Sequence, residues 1–134
     1  MKNVVTVYYQ HRTDGTELVD HEKVVTSHEA LCDIIDRYPW AEEVVLTEKW
    51  GEGGGLFFLL GDIKRRYASF QLVPTDIDSG LLSVDIVQKP GFLGTFGRKS
   101  VTAQFDVVSI TDAKVTLQQL FDFSIEGLYE KYQS

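Results

Sequence analysis

Short runs rich in β-branched and aromatic residues alternate with turn signals along most of the chain. Residues 4–11 form the first run, and the Asp-Gly pair at 14–15 is typical of a tight hairpin turn that returns the chain through residues 18–25. Five further runs are bounded by Gly, Pro and Asp: residues 44–50, 56–60, 65–73, 81–87 and 101–108. Their spacing predicts an antiparallel meander.

Two helices are predicted from capping residues and from apolar residues at helical spacing. Thr26 and Glu29 have the spacing of a capping box, which predicts a helix start. The apolar positions of this helix, which Pro39 ends, are Leu31, Ile34, Ile35 and Tyr38. Residues 109–112 can start a second helix, for which Gly127 is the expected C-cap. Its stripe consists of Ala113, Leu117, Leu120, Phe121 and Ser124.

These elements predict an α+β fold. Apolar and polar residues alternate within 65–73, as expected for a sheet that is covered on one side. We therefore predict a single antiparallel β-sheet of about five to seven strands with two helices packed on it. No repeat, linker or low-complexity tract interrupts the sequence, so residues 1–134 are expected to form a single domain.

Length and cysteine content agree with a self-sufficient domain in a reducing compartment. A chain of 134 residues is expected to bury roughly two-thirds of its unfolded surface. Cys32 is the only cysteine, so no intramolecular disulfide can form. No segment approaches the roughly 18 consecutive apolar residues that span a bilayer, and the N-terminus lacks a signal-peptide pattern. A cytoplasmic location is therefore expected.

The negative charge is concentrated in the first half of the chain. Residues 1–62 contain five Lys or Arg against twelve Asp or Glu, whereas residues 63–134 contain eight of each. Such a field repels phosphate backbones and attracts basic surfaces, which argues against nucleic-acid binding and favours a basic protein partner. An acidic half that only aids solubility is an equally good interpretation at this point.

Two local motifs have a chemical and a structural interpretation, and the structural one is favoured for both. His28 and Cys32 stand at i and i+4 with Glu29 between them, as in a zinc-protease helix, but no further ligand follows at an orderly distance. The glycine-rich segment 51–55 leads into a strand instead of a helix, and Glu52 would repel an anion. No metal and no cofactor are therefore expected, although catalysis by dispersed carboxylates stays open.

Residues 89–100 form the most unusual loop, with regularly spaced glycines and with Phe92 and Phe96 among cations. Packing of these rings over an open end of the sheet is the favoured interpretation. A protein-contact loop is the second, because exposed apolar clusters mark interfaces, and a ligand or nucleic-acid site is the third.

The layout of the whole chain resembles the immunity proteins of bacterial polymorphic toxin systems. The resemblance rests on the opening Val-Thr-Val-Tyr-Tyr strand with its polar hairpin, the short helix entered at Thr-Ser-His-Glu, the sheet meander and the late helix. It is strongest to a family that ends with a Phe-containing helix followed by Gly, Pro and Trp. Here residues 121–132 contain the Phe residues and Gly127, lack the Pro, and carry Tyr132 in place of the Trp.

This resemblance implies a non-enzymatic cytosolic protein that binds one cognate toxin domain, of nuclease or deaminase type, and blocks its active site or substrate approach. An acidic surface would steer association with a basic substrate cleft and imitate the charge of the substrate. We expect Trp50 to anchor the partner. The expected steering groups are Asp14, Glu17, Glu42, Glu43, Glu48 and Glu52.

Two alternatives from other functional classes remain. The first is a small-molecule-binding or enzymatic α+β domain whose ligand lies between the sheet and the loop at residues 89–100. The second is a structural subunit that uses Phe92 and Phe96 to dimerise. A ligand would raise the thermal stability of the first, and the mass of the second would depend on concentration.

Overall fold

One open six-stranded antiparallel sheet organises the protein. The computed structural model describes residues 3–12, 17–51, 53–91 and 97–133, and for residue 50 it describes only the backbone. The strands are β1 Val5–His11, β2 Val19–Val25, β3 Leu56–Gly61, β4 Tyr67–Asp76, β5 Ser79–Lys89 and β6 Lys99–Ser109. They lie in the order β2-β1-β3-β4-β5-β6, with every neighbouring pair antiparallel. The predicted α+β class with a single antiparallel sheet is therefore confirmed.

Within the described ranges, five helical segments accompany the sheet. They are α1 His28–Arg37, α2 Trp40–Trp50, α3 Ile110–Leu117, α4 Gln119–Asp122 and α5 Ile125–Gln133. The Ser27 hydroxyl caps α1 by accepting the N–H of Ala30 at 3.1 Å, one residue later than the predicted capping residue. Gly127 is not a C-cap, because it lies in the first turn of α5, where its N–H donates to the Ser124 hydroxyl at 3.0 Å. No helix within the described ranges is both long and apolar enough to cross a membrane.

The predicted strand at residues 44–50 is wrong, because these residues belong to α2. Its β-branched valines gave a strand-like composition, but the signals at both ends of the segment are helical. Pro39 precedes the first turn, which carries Glu42 and Glu43, and Lys49 lies in the last turn, as the helix dipole favours. Gly51 adopts the left-handed conformation with φ 78° that ends a helix.

The hydrophobic core lies between one face of the sheet and the helices. A buried row crosses four strands through directly opposed residues: Val7, Phe58, Phe70 and Val84. The helices complete the same cluster with Leu31 and Ile35 from α1, Leu117 from α3 and Leu128 from α5. Burial of each such side chain stabilises the fold by about 1.5–3 kcal/mol, so this layer fixes which face of the sheet the helices cover.

A buried ion pair joins α2 to the end of β1. The Glu43 carboxylate accepts the backbone N–H of Arg12 at 2.9 Å and an Nη1–H of its guanidinium at 3.0 Å. The two side chains are only 1% and 2% exposed, respectively. Two charged hydrogen bonds from one residue to one carboxylate determine where α2 lies relative to the sheet.

Removal of the Glu43 carboxylate should cost much more stability than removal of its exposed neighbour. We expect Glu43→Ala to lower the free energy of unfolding by about 3 kcal/mol, because the Arg12 charge would stay buried without this partner. Urea denaturation measures this loss, and Glu42→Ala on the same helix turn is the control, with an expected change within about 0.5 kcal/mol. Equal losses for the two variants would contradict the proposed role of the ion pair.

Candidate functional site

The face of the sheet opposite the helices, called the open face below, presents side chains in straight rows. Its central row contains directly opposed residues from six strands: Glu22, Tyr8, Phe57, Gln71, Ser83 and Gln104. These positions alternate with the buried row of the core, as the two-residue period of a strand requires. None of the described helices contributes a buried apolar residue to the small cluster on this face, which consists of Leu59, Tyr67 and Val87 with Phe57.

The open face carries several exposed apolar side chains. Among the described residues, five large apolar ones that are more than one-third exposed lie on it: Tyr8, Val24, Val73, Leu81 and Val107. A sheet face that is only solvated would carry mainly polar residues at these positions. Apolar patches rimmed by polar groups mark interaction surfaces, so this face is the candidate binding surface.

A cavity of about 570 Å³, called the acidic concavity below, opens on the β2 end of this face. Its described lining includes the carboxylates of Asp20 and Glu22 and contains no Lys or Arg. The remaining lining residues are Tyr8, Tyr9, Gln10, His21, Gly53, Gly54, Gly55, Leu56, Phe57, Gln71 and Val73. The volume lies within the range of ligand-binding clefts, and its lining is suited to a cation.

Local contacts position the acidic and aromatic groups of the concavity. The Gln10 side-chain amide donates to Asp20 Oδ1 at 2.6 Å, which holds this carboxylate across the β1–β2 pair. Glu22 is exposed and lies directly opposite Tyr8. The rings of Tyr8 and Phe57 have centroids 6.2 Å apart and are tilted by 49°. Negative charge and ring faces therefore converge on one cavity.

Three glycines, at positions 53–55, form one wall of the concavity and fit closely against their surroundings. The backbone N–H of Gln10 donates to the Gly55 carbonyl at 2.9 Å. The Tyr38 hydroxyl donates to the Gln10 carbonyl at 2.5 Å, and burial, with the nearby Glu43 charge, raises the pKa of this phenol. A Cβ on Gly54 would lie 1.9 Å from the Gln10 carbonyl oxygen. The wall is therefore held in place by close contact with Gln10 of β1 and with Tyr38, the C-cap residue of α1.

A stack of aromatic rings supports the β1–β2 hairpin beside the concavity. The imidazoles of His11 and His21 stack with centroids 4.4 Å apart, and Tyr9 stacks on His21 at 5.0 Å. Tyr38, the C-cap residue of α1, contacts His11 edge-on, with centroids 5.6 Å apart. Tyr9 lies directly opposite both His21 and the buried Leu56, so the stack supports the hairpin from the helical side of the sheet.

A second cavity of about 200 Å³ adjoins the acidic concavity, with Phe57 and Gln71 shared between the two. Its carboxylate, Asp85, already accepts the Tyr67 hydroxyl at 2.7 Å. Burial raises the pKa of Tyr67, as does Asp85, while Arg98 acts in the opposite direction. Because a cation of the chain already lies at this end, the end near Asp20 and Glu22 is the more negative part of the face.

The predicted steering acids have different outcomes. Glu17, Glu42 and Glu48 are exposed, as steering requires. The prediction is wrong for Glu43, because its buried carboxylate is bound to Arg12 and cannot contact a partner. Asp14 and Glu52 lie outside the described residues, as do Phe92, Phe96 and the side chain of Trp50.

Sequence reasoning missed the residues that form the acidic concavity. Asp20 and Glu22 alternate with Val19, His21 and Lys23, a weak strand pattern that gives no sign of a binding face. The signal that could have found them is the hairpin register, which sets Glu22 opposite Tyr8 and Asp20 opposite Gln10. Phe57 could be assigned to the same face only once β1 was known to pair with β3.

The His28 and Cys32 motif has a structural role. His28 Nε2 donates to the Lys114 carbonyl of α3 at 2.6 Å, which ties α1 to α3. The Cys32 sulfur lies 3.4 Å from the same nitrogen, and burial raises the pKa of its thiol. The part of the chain that the structure describes contains no group of three or more His, Cys, Asp or Glu side chains that could hold a metal ion.

Only the ends of the loop at residues 89–100 are described. A shallow cavity of about 300 Å³ lies at these ends and is lined by Arg66, Gln88, Lys89, Lys99 and Glu126. All the charged residues in this lining are exposed. Because residues 92–96 lie outside the described residues, the small-molecule alternative at this loop stays a prediction.

Gly54→Ala should destabilise the protein much more than Gly55→Ala. At position 54 a methyl group would overlap the Gln10 carbonyl oxygen, whereas at position 55 its nearest neighbour would lie 3.4 Å away. We expect the free energy of unfolding to fall by about 2–3 kcal/mol for Gly54→Ala and by less than about 1 kcal/mol for Gly55→Ala. Urea denaturation of both variants checks this, and equal losses would contradict the close contact described for the wall.

Iodoacetamide should modify Cys32 at least about three times more slowly in the folded protein than in urea at pH 8. Burial both covers the sulfur and raises the pKa of the thiol. The rate in the folded protein should still rise with pH above about pH 9, because the thiolate fraction is still growing there. Equal rates in the two states would contradict the structural role assigned to Cys32.

Comparison of the chain with protein-family models, with curated proteins and with solved structures finds no match.

Proposed function

We propose that this protein is a non-enzymatic immunity protein that binds a basic toxin domain through the open face and thereby neutralises it. The observation that carries the proposal is the acidic concavity within an exposed apolar sheet face. Its described lining contains two carboxylates, two neighbouring aromatic rings and no Lys or Arg. This combination fits a protein surface that presents cations.

The extent of the apolar surface favours a protein over a small molecule. Exposed apolar side chains reach from Val24 on β2, at one edge of the sheet, to Val107 on β6, at the other. Small-molecule sites enclose most of their ligand, whereas this face is broad and only locally concave. A folded partner could cover it and bury the side chains that water now surrounds.

Neutralisation by occupation requires no chemistry from this protein. A nuclease or deaminase of the toxin class must present cations to a phosphate backbone, and a carboxylate-bearing face can occupy the same cations. Bound there, the open face would exclude the substrate from the toxin. Such a protein would act in the cytoplasm of the cell that makes the toxin.

The exposed acids outside the concavity would raise the rate at which the partner associates. Glu17 precedes β2, and Glu42 and Glu48 lie on the exposed side of α2. Charges at the rim of an interface mainly raise the association rate, whereas centrally buried contacts set the dissociation rate. The open face and the surrounding acids therefore have separable kinetic roles.

Affinity capture from the native lysate tests the proposed function. The tagged protein should recover one near-stoichiometric basic domain at low and at moderate salt, and the purified protein should abolish the toxic activity of that domain. Recovery of a partner whose activity is unchanged would contradict neutralisation. Failure to recover any protein from a lysate in which the toxin is expressed would contradict the proposal as a whole.

Neutralising the outer acids should slow association without speeding dissociation. For the triple variant Glu17→Gln, Glu42→Gln and Glu48→Gln we expect the association rate with the captured partner to fall about tenfold at low salt. The dissociation rate should change by less than about twofold. Surface plasmon resonance at several salt concentrations separates the two rates.

The matched control removes three exposed acids from the other half of the chain: Asp78→Asn, Asp122→Asn and Glu130→Gln. This control changes the net charge by the same amount, so the two triple variants differ only in where the acids lie. Because these three acids lie away from the proposed interface, we expect the association rate to stay nearly unchanged. Equal effects of the two triple variants would show that only net charge acts.

A further inference from the structure

We infer that the acidic concavity is a guanidinium site, which receives one arginine side chain of the protein partner. This inference rests on the proposed function and deepens it, because it names the group that the open face recognises. It is argued from the carboxylates, the rings and the shape of the cavity.

The two carboxylates of the concavity differ in how they are held: Asp20 is oriented by a hydrogen bond, and Glu22 is exposed. Asp20 Oδ1 already accepts the Gln10 amide at 2.6 Å, which fixes the orientation of the group. A carboxylate has further lone pairs, so Asp20 can accept another donor without giving up this bond. Glu22 lies two residues along the same face of β2 and is exposed. Two carboxylates on one side of a strand match the several N–H donors of a guanidinium.

The aromatic rings provide a surface that complements these acceptors. Tyr8 lies between Glu22 and Phe57 in the central row, so its ring is next to the carboxylate and next to the second ring. A cation over a ring face gains from the negative quadrupole, and a planar guanidinium can also stack. A single guanidinium at this row could therefore stack on a ring and pair with a carboxylate at the same time.

The shape of the site favours arginine over lysine. A cavity of about 570 Å³ is broad enough for a planar head group and its stem, and its wall of three glycines keeps side chains out of the way. Lysine offers a compact, strongly hydrated charge that neither stacks nor binds in a bidentate manner. Stacking and paired donors are therefore the features that should separate the two cations.

Titration with amino-acid amides tests the site without any partner. Nα-acetyl-arginine amide, its lysine analogue and its neutral citrulline analogue are added to the ¹⁵N-labelled protein, and amide shifts are followed by NMR. We expect the arginine compound to shift Tyr8, Glu22 and Gly54 saturably and to bind at least about threefold more tightly than the lysine compound. Citrulline, which has nearly the same shape but no charge, should give no saturable shift.

Two variants link the shifts to the carboxylate. Glu22→Gln should weaken binding of the arginine compound about threefold to fivefold, which is the scale of one exposed ion pair. Glu130→Gln removes the same charge from exposed α5 and should leave the affinity within about twofold of the original. Arginine and citrulline compounds that bind alike, shifts that map elsewhere, or equal effects of the two variants would overturn the inference.

The titration tests the guanidinium site, and the capture experiment tests the proposed function, so the two claims can be contradicted independently. A partner that is captured and neutralised, together with absence of saturable arginine binding, overturns the guanidinium site and leaves the proposed function intact. Arginine binding in the concavity without any neutralised partner supports the site and contradicts the proposed function.

Discussion

The buried ion pair between Arg12 and Glu43 is the constraint on which the arrangement of the binding surface depends. It fixes α2 at the end of β1, where the backbone and guanidinium of Arg12 both donate to one carboxylate. Between α2 and β3, the chain then runs close to Gln10, where Gly54 and Gly55 contact its backbone and form the wall of the concavity. The acidic concavity is therefore a consequence of how the first half of the chain closes on itself.

The one-sided covering of the sheet explains why the candidate binding surface is exposed. All helices that contribute to the main core lie against one face, where residues such as Phe58 and Phe70 are fully buried. Strand geometry then directs the intervening side chains to the open face. There Tyr8 and Phe57 meet the carboxylates of β2. The surface thus combines exposed apolar area with negative charge, which are the properties that the proposed binding of a basic partner requires.

Much of the fold follows from local sequence, whereas the site does not. Strand alternation and the helix start near residue 28 have local signals, so the α+β class could be predicted. The strand prediction for α2 is wrong because Val44 and Val45 favour a strand locally, whereas the signals at both ends of the segment are those of a helix. The burial of Glu43 has no local signal, because Arg12, the residue with which its carboxylate pairs, lies 31 residues away in the sequence. The concavity depends on β1 pairing with β3, which no local pattern reveals.

Side-chain footprinting of the complex with the captured partner tests the central claim, that the open face is the binding surface. Tyr8 on the open face and Phe123 on the helical side are both 39% exposed, so each serves as a reference for the other. Hydroxyl-radical labelling of Tyr8 should fall strongly when the partner binds, while labelling of Phe123 stays unchanged. Protection of Phe123 with full labelling of Tyr8 would contradict the account.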